Sequence, residues 1–147
     1  MICANLARQA DCTIQILIVE DFADFRALLI STLEQRSDLA VIGQAKDGLE
    51  AVEQFRTSRP DLILLDIGLH KINGIEVIRR IGPLLGTTKV LIVSQDGSGD
   101  VVQEALRLGA HGYVAKSDIG NQLFPAIDAV LSGRPFVGRT LAGLDRQ

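Results

Sequence analysis

The stretch PDLILLDIGLHKINGIE, residues 60–76, decides the fold. Pro60 blocks continuation of any helix before it, because it has no N–H and its ring clashes with the preceding turn. Leu62–Leu65 is apolar without alternation, the pattern of a strand covered on both faces. The run stops on a carboxylate, Asp66. A loop leads into residues 75–81, where Ile75, Val77, Ile78 and Ile81 follow helical spacing and Gly82-Pro83 predicts an early end or a kink.

The same unit recurs on both sides. Ile14–Val19, Leu39–Ala45, residues 90–93 and Gly112–Ala115 are further short runs rich in Ile, Leu, Val or Ala. Between them lie amphipathic segments of helical length. Residues 24–36 carry Phe25, Leu28, Leu29 and Leu33; residues 48–58 carry Leu49, Val52 and Phe55 behind a capping-box-like Asp47 and Glu50. Residues 99–108 carry Val102, Ala105, Leu106 and Leu108 between Ser98 as N-cap and Gly109 as stop. Residues 119–132 carry Leu123, Ile127, Val130 and Leu131, with Pro125 predicting a local distortion. Five βα units with right-handed crossovers predict an α/β, doubly wound, five-stranded parallel sheet of flavodoxin-like order 2-1-3-4-5, a (βα)5 three-layer sandwich.

The whole chain fits one such domain. It has 147 residues, 47% of them hydrophobic, with 15 Lys and Arg against 18 Asp and Glu. This length buries a core without staples, and the apolar fraction excludes disorder. The expected division is a tail over 1–13, the domain over 14–137, and a tail or linker start over 138–147. A net charge of −3 argues against direct nucleic-acid binding. No apolar run reaches the ~18–20 residues of a membrane span, and residues 1–13 lack a signal-peptide core. Cys3 and Cys12 form no disulfide or zinc pattern, so a reducing cytoplasmic setting is the expectation.

In open α/β sheets, function collects at the carboxyl ends of the strands. The residues just past those ends are Glu20-Asp21, Asp66, Ser94 and Lys116. Any one alone is explained as a turn residue or a helix cap. Together, three carboxylates repel unless a hard cation or a proton joins them. A carboxylate can also be a nucleophile toward phosphorus, with Lys116 and Ser94 supplying a charge and a hydroxyl to the transferring group.

These residues carry a family resemblance. ILIVEDF (16–22), PDLILLDIGLHKINGIE (60–76), VLIVSQD (90–96) and GAHGYVAKSD (109–118) resemble response-regulator receiver domains of two-component phosphorelay signalling, over roughly residues 14–137. The resemblance implies that Asp66 is the phosphoacceptor. It implies that Glu20, Asp21, Asp66 and the Gly68 backbone carbonyl hold Mg²⁺, and that Ser94 and Lys116 meet the phosphoryl group. Tyr113 matches an aromatic switch; the alternative is an ordinary strand aromatic. The implied partners are a sensor histidine kinase or phosphotransfer protein and, on phosphorylation, a second copy of the chain.

The sequence departs from the usual pattern in three places. His70 stands where proline is common and reads as a turn residue rather than a ligand or phosphodonor, in a looser loop. Ser117 replaces a proline, which predicts a trans Lys116–Ser117 bond. Gly68 has no side chain to orient a hydrolytic water. The stretches at 108–110, 116–118 and 133–137 look most like receivers of helix-turn-helix transcriptional regulators, yet no output domain fits within this length. Three alternatives compete: an aspartyl-phosphate hydrolase, disfavoured by Gly68 where a second Asp is usual; a phosphate-independent interaction module; and a flavin-binding fold, disfavoured by Glu20-Asp21 where a phosphate loop belongs.

Overall fold

The computed structural model describes residues 13–69, 71–95 and 99–137. Five strands and five helices alternate: β1 (Ile14–Val19), α1 (Ala23–Leu33), β2 (Leu39–Ala45), α2 (Gly48–Ser58), β3 (Leu62–Leu65), α3 (Gly74–Ile81), β4 (Lys89–Ser94), α4 (Gly99–Leu108), β5 (Gly112–Ala115) and α5 (Ile119–Leu131). A short β6 (Phe136–Val137) follows. All pairings are parallel, in the order β2-β1-β3-β4-β5-β6. The expected 2-1-3-4-5 order is therefore present, and β6 extends it.

Parity along each strand explains the unbroken apolar runs. Leu17, Val19, Ile63, Leu65, Val90, Ile92 and Tyr113 face α2, α3 and α4, packing on Phe55, Ile78 and Ala105. Ile16, Ile18, Leu62, Leu64, Leu91, Val93 and Val114 face α1 and α5, packing on Leu29, Leu33, Leu123 and Ile127. In β3, β4 and β5 both faces are buried, so their runs do not alternate, whereas the edge strand β2 exposes Ile42 and Gln44.

Local chemistry sets the boundaries. Asp47 Oδ1 accepts the Glu50 N–H at 3.0 Å, and Glu50 Oε1 accepts the Lys46 N–H at 2.8 Å, a reciprocal cap close to the expected one. Asn73 caps α3 one-sidedly, its Oδ1 accepting the Glu76 N–H at 3.0 Å. Helix α1 stops at Leu33 rather than 36, because the Gln35 and Arg36 amides turn to Thr32 and Leu33 and tighten the last turn. Helix α3 ends at Ile81 and passes into a 3₁₀ turn over Gly82–Leu84. Gly109, at φ +133°, stops α4 as expected. Helix α5 runs through Pro125 without a break. Pro125 and Asn121, whose carbonyl would otherwise accept an N–H from position 125, are both exposed. The expected Ser98 cap, Cys3, Cys12, His70 and the tail beyond Val137 lie outside the described residues.

Candidate functional site

Register brings the strand ends together. The Asp66 N–H donates to the Val19 carbonyl at 3.0 Å, setting the residue after β3 beside the residue after β1. Glu20 is 1% exposed and Asp66 is 6% exposed. Carboxylate oxygens of Glu20, Asp21 and Asp66 lie within 4.8 Å of one another. From the end of β5, the Lys116 ammonium donates to Glu20 Oε2 at 3.0 Å and to Asp66 Oδ2 at 3.3 Å. The Gly68 N–H donates to Asp66 Oδ1 at 3.1 Å, and the Phe22 N–H donates to Glu20 Oε2 at 3.1 Å.

One ammonium does not balance three carboxylates. Burial pushes the Glu20 carboxyl above its ordinary value, and the neighbouring Asp66 charge pushes the same way; the hydrogen bond from Lys116 opposes both. Glu20 Oε1 is buried with no hydrogen-bond partner. A buried, unsatisfied carboxylate oxygen inside an all-oxygen acidic cluster is the donor set of a hard divalent cation, and Mg²⁺ fits it.

Of the remaining expected residues, Gly68 shares a cleft with this cluster, and Ser94 and Tyr113 are buried in β4 and β5. Gly68 and Asp21 line an open cleft of about 820 Å³ with Asp66 and Lys116. Ser94 closes β4, is 2% exposed, and continues the parity of Val90 and Ile92 toward α4. Tyr113 is fully buried on that side, and its hydroxyl donates to the Ser94 backbone carbonyl at 3.2 Å. The Tyr113 hydroxyl thus ties β5 to the end of β4, whose next residue, Gln95, lines the cleft. No cis peptide occurs among the described residues, as the Lys116–Ser117 expectation requires.

Three contributors escaped sequence reading. Phe25 lines the cleft, with its ring centroid 4.7 Å from the Lys116 Nζ; helical spacing marks it only as a core position. Arg26 donates to the Glu20 carbonyl at 2.8 Å and to the Gln44 side chain at 3.2 Å, tying α1 to both strand ends. At Gly74 a Cβ would stand 2.6 Å from the Asp66 carbonyl oxygen, so the loop after Asp66 closes only over glycine. Gly74 lies within the motif quoted above, but its spacing to Asp66 does not reveal the contact.

Comparison with known proteins agrees with this geometry. A sequence profile for the response regulator receiver domain matches residues 16–128. The transcriptional regulatory protein LnrK of Bacillus subtilis is 35% identical over 120 residues, covering 82% of this chain and 54% of that protein. A protein-glutamate methylesterase/protein-glutamine glutaminase of Thermotoga maritima is 37% identical over 107 residues, 72% of this chain and 31% of its own. The crystal structure of a LuxR-family two-component response regulator from Aurantimonas superposes with a TM-score of 0.84 at 32% identity, covering 89% of this chain and 94% of that one. The chain spans about half the length of the transcriptional regulators it matches. Its homologues include receivers of LuxR-family regulators, its acidic pocket is consistent with a phosphoacceptor site, and the chain belongs to the response-regulator receiver family of two-component signalling.

Proposed function

We propose that the chain is a phosphorylation-driven signalling switch with Asp66 as its phosphoacceptor. The observation that carries this is the Asp66 carboxylate itself, hydrogen-bonded by Lys116 and Gly68 in an open cleft beside two further carboxylates. A sensor histidine kinase or phosphotransfer protein is the donor. An Asp66 oxygen attacks phosphorus, the P–N bond of the donor phosphohistidine breaks, and the leaving imidazole keeps the electron pair and takes a proton. Lys116 turns from Asp66 Oδ2 to a phosphoryl oxygen, and the Ser94 hydroxyl donates to another, both stabilising charge on the transferring group. Glu20, Asp21, Asp66 and the Gly68 carbonyl would hold Mg²⁺, which supplies charge neutralisation for the phosphoryl oxygens.

Ser94 drawn toward the phosphoryl group shifts the carbonyl that the Tyr113 hydroxyl holds. The surface of α4, β5 and α5 then changes its affinity for a partner, with a second copy as one candidate, as a population shift between two arrangements of one fold. We assign the receiver to residues 14–137, with 1–13 as an N-terminal tail and 138–147 as a C-terminal tail or linker start, in a cytoplasmic setting. A second reading, the receiver part of a DNA-binding transcriptional regulator, is favoured by the share of such relatives that the chain spans.

The test is intact-mass measurement after incubation with acetyl phosphate and Mg²⁺. Wild type gains one phosphoryl group; Asp66→Asn gains none, and EDTA abolishes the gain. No gain in wild type overturns the reading in favour of a phosphate-independent interaction module.

A further inference from the structure

We propose that Phe25 is a positioning residue for Lys116, holding its ammonium in the cleft when the carboxylates are otherwise engaged. The proposal rests on the reading of Asp66 as phosphoacceptor. Among the described residues, the Lys116 Nζ meets Glu20 Oε2 at 3.0 Å, Asp66 Oδ2 at 3.3 Å, and the face of Phe25 with its centroid at 4.7 Å. The two carboxylates belong to the acidic cluster that a divalent cation would use. Both pulls on the ammonium therefore weaken under the conditions in which phosphoryl transfer runs. An aromatic face binds neither a metal ion nor a phosphoryl oxygen, yet its quadrupole attracts an ammonium. It is the one neighbour of the three that keeps its hold.

The ring is placed to act this way. Phe25 sits in the first turn of α1, half-buried and packed against the core that lies under α1 and α5. The next residue, Arg26, fastens that turn to the Glu20 carbonyl and to Gln44. The ring is thus fixed relative to the acid cluster by the same helix turn that follows it. Without the ring, the four-carbon lysine stem is free to carry its charge out toward water, since Lys116 retains 14% side-chain exposure.

Phe25→Leu keeps apolar volume and removes the quadrupole; Phe25→Tyr keeps both. Two measurements on the full chain separate the outcomes. In proton NMR of the metal-free protein, ring current shifts the Lys116 ε-methylene protons upfield in wild type and Phe25→Tyr, and Phe25→Leu returns them to ordinary positions. In acetyl phosphate labelling with Mg²⁺, Phe25→Leu slows about three- to fivefold, the size expected for one cation–π contact, and Phe25→Tyr recovers the wild-type rate. Wild-type labelling speed in Phe25→Leu overturns the proposal, as do equal losses in Leu and Tyr or a Lys116 shift indifferent to the ring. A wild-type protein that takes no phosphoryl group overturns the functional reading and this proposal with it; a labelled wild type with an indifferent Leu variant overturns the role of Phe25 alone.

Discussion

Asp66→Asn should stabilise the metal-free protein while abolishing the acetyl phosphate labelling that the proposed function expects. Asp66 meets two like charges, Glu20 and Asp21, with oxygens within 4.8 Å, and one opposite charge, Lys116, at 3.3 Å. At an effective dielectric of about 20, each repulsion is worth ~3.5 kcal/mol and the attraction ~5 kcal/mol. The two repulsions outweigh the attraction by ~2 kcal/mol, and Asn also escapes the desolvation of a buried charge. Asp21 is half-buried, so solvent trims its share and leaves a net gain of about 1–2 kcal/mol. For a fold of this size that is a rise in Tm of roughly 3–8 °C. The assay is thermal unfolding by circular dichroism at neutral pH, in EDTA and in excess Mg²⁺. A cation bound to the acid cluster relieves the same repulsion, so Mg²⁺ should raise wild type more than the variant and narrow the gap. An Asp66→Asn protein that melts below wild type in EDTA, or a gap indifferent to Mg²⁺, refutes the picture of a repulsive acid cluster. Glu20 adds a pH signature. Its folded value lies above its ordinary 4.5, so the folded state holds that proton more tightly. The stability contribution is full below about 4.5 and is lost as pH rises through the raised value; Asp66→Asn should make that decline shallower.

Three further outcomes follow from the geometry. Tyr113→Phe removes the hydrogen bond to the Ser94 carbonyl and should lower stability by about 0.5–1.5 kcal/mol in urea unfolding; an unchanged midpoint would show that the bond contributes nothing. Gly74→Ala forces a Cβ against Asp66 and Ile67 backbone atoms at 2.6 Å, which should destabilise by about 1–3 kcal/mol and slow acetyl phosphate labelling, with wild-type behaviour on both counts as the contrary result. His111 accepts the Val90 N–H through Nδ1 at 3.0 Å, and burial first, then Lys89, hold its pKa below the ordinary 6.5. Its contribution is therefore full above about 6.5 and lost as pH falls through the lowered value; His111→Asn, which has no proton to take up, should flatten the acid side of the urea midpoint profile.

The gathering of Glu20, Asp21, Asp66 and Lys116 was legible because these residues sit at strand ends, and strand ends are what apolar runs mark best. Leu62–Leu65 stops at Asp66 and Gly112–Ala115 stops at Lys116, so boundary and chemistry are read in one step. The parts that escaped depend on distance across the fold. Phe25 satisfies the helical period of α1 equally well as core filler, and only the spatial return of Lys116 makes it a cation neighbour. Asn73, an ordinary N-cap type, lies inside a stretch whose carboxylate drew the reading. The two-residue β6 is too short to carry any period, and its pairing with Gly112 and Tyr113 is settled by tertiary contact: a Cβ on Gly112 would stand 2.8 Å from the Phe136 carbonyl oxygen.

With the two-residue β6 laid along β5, the long edge strand of the sheet among the described residues is β2. An open flank offers unpaired amides and carbonyls as a template on which a foreign chain can add, the first step toward amyloid-like stacking. Here that template is spoiled. The register against β1 slips between Ile16 and Leu17, so Ile42 is an extra residue that kinks the strand. Beside it, the Gln54 side chain donates to the Gln44 carbonyl at 2.8 Å and fills an acceptor that an incoming strand would need. A chain approaching this edge is thereby hindered from adding through its backbone, and contact along β2 is left to side chains.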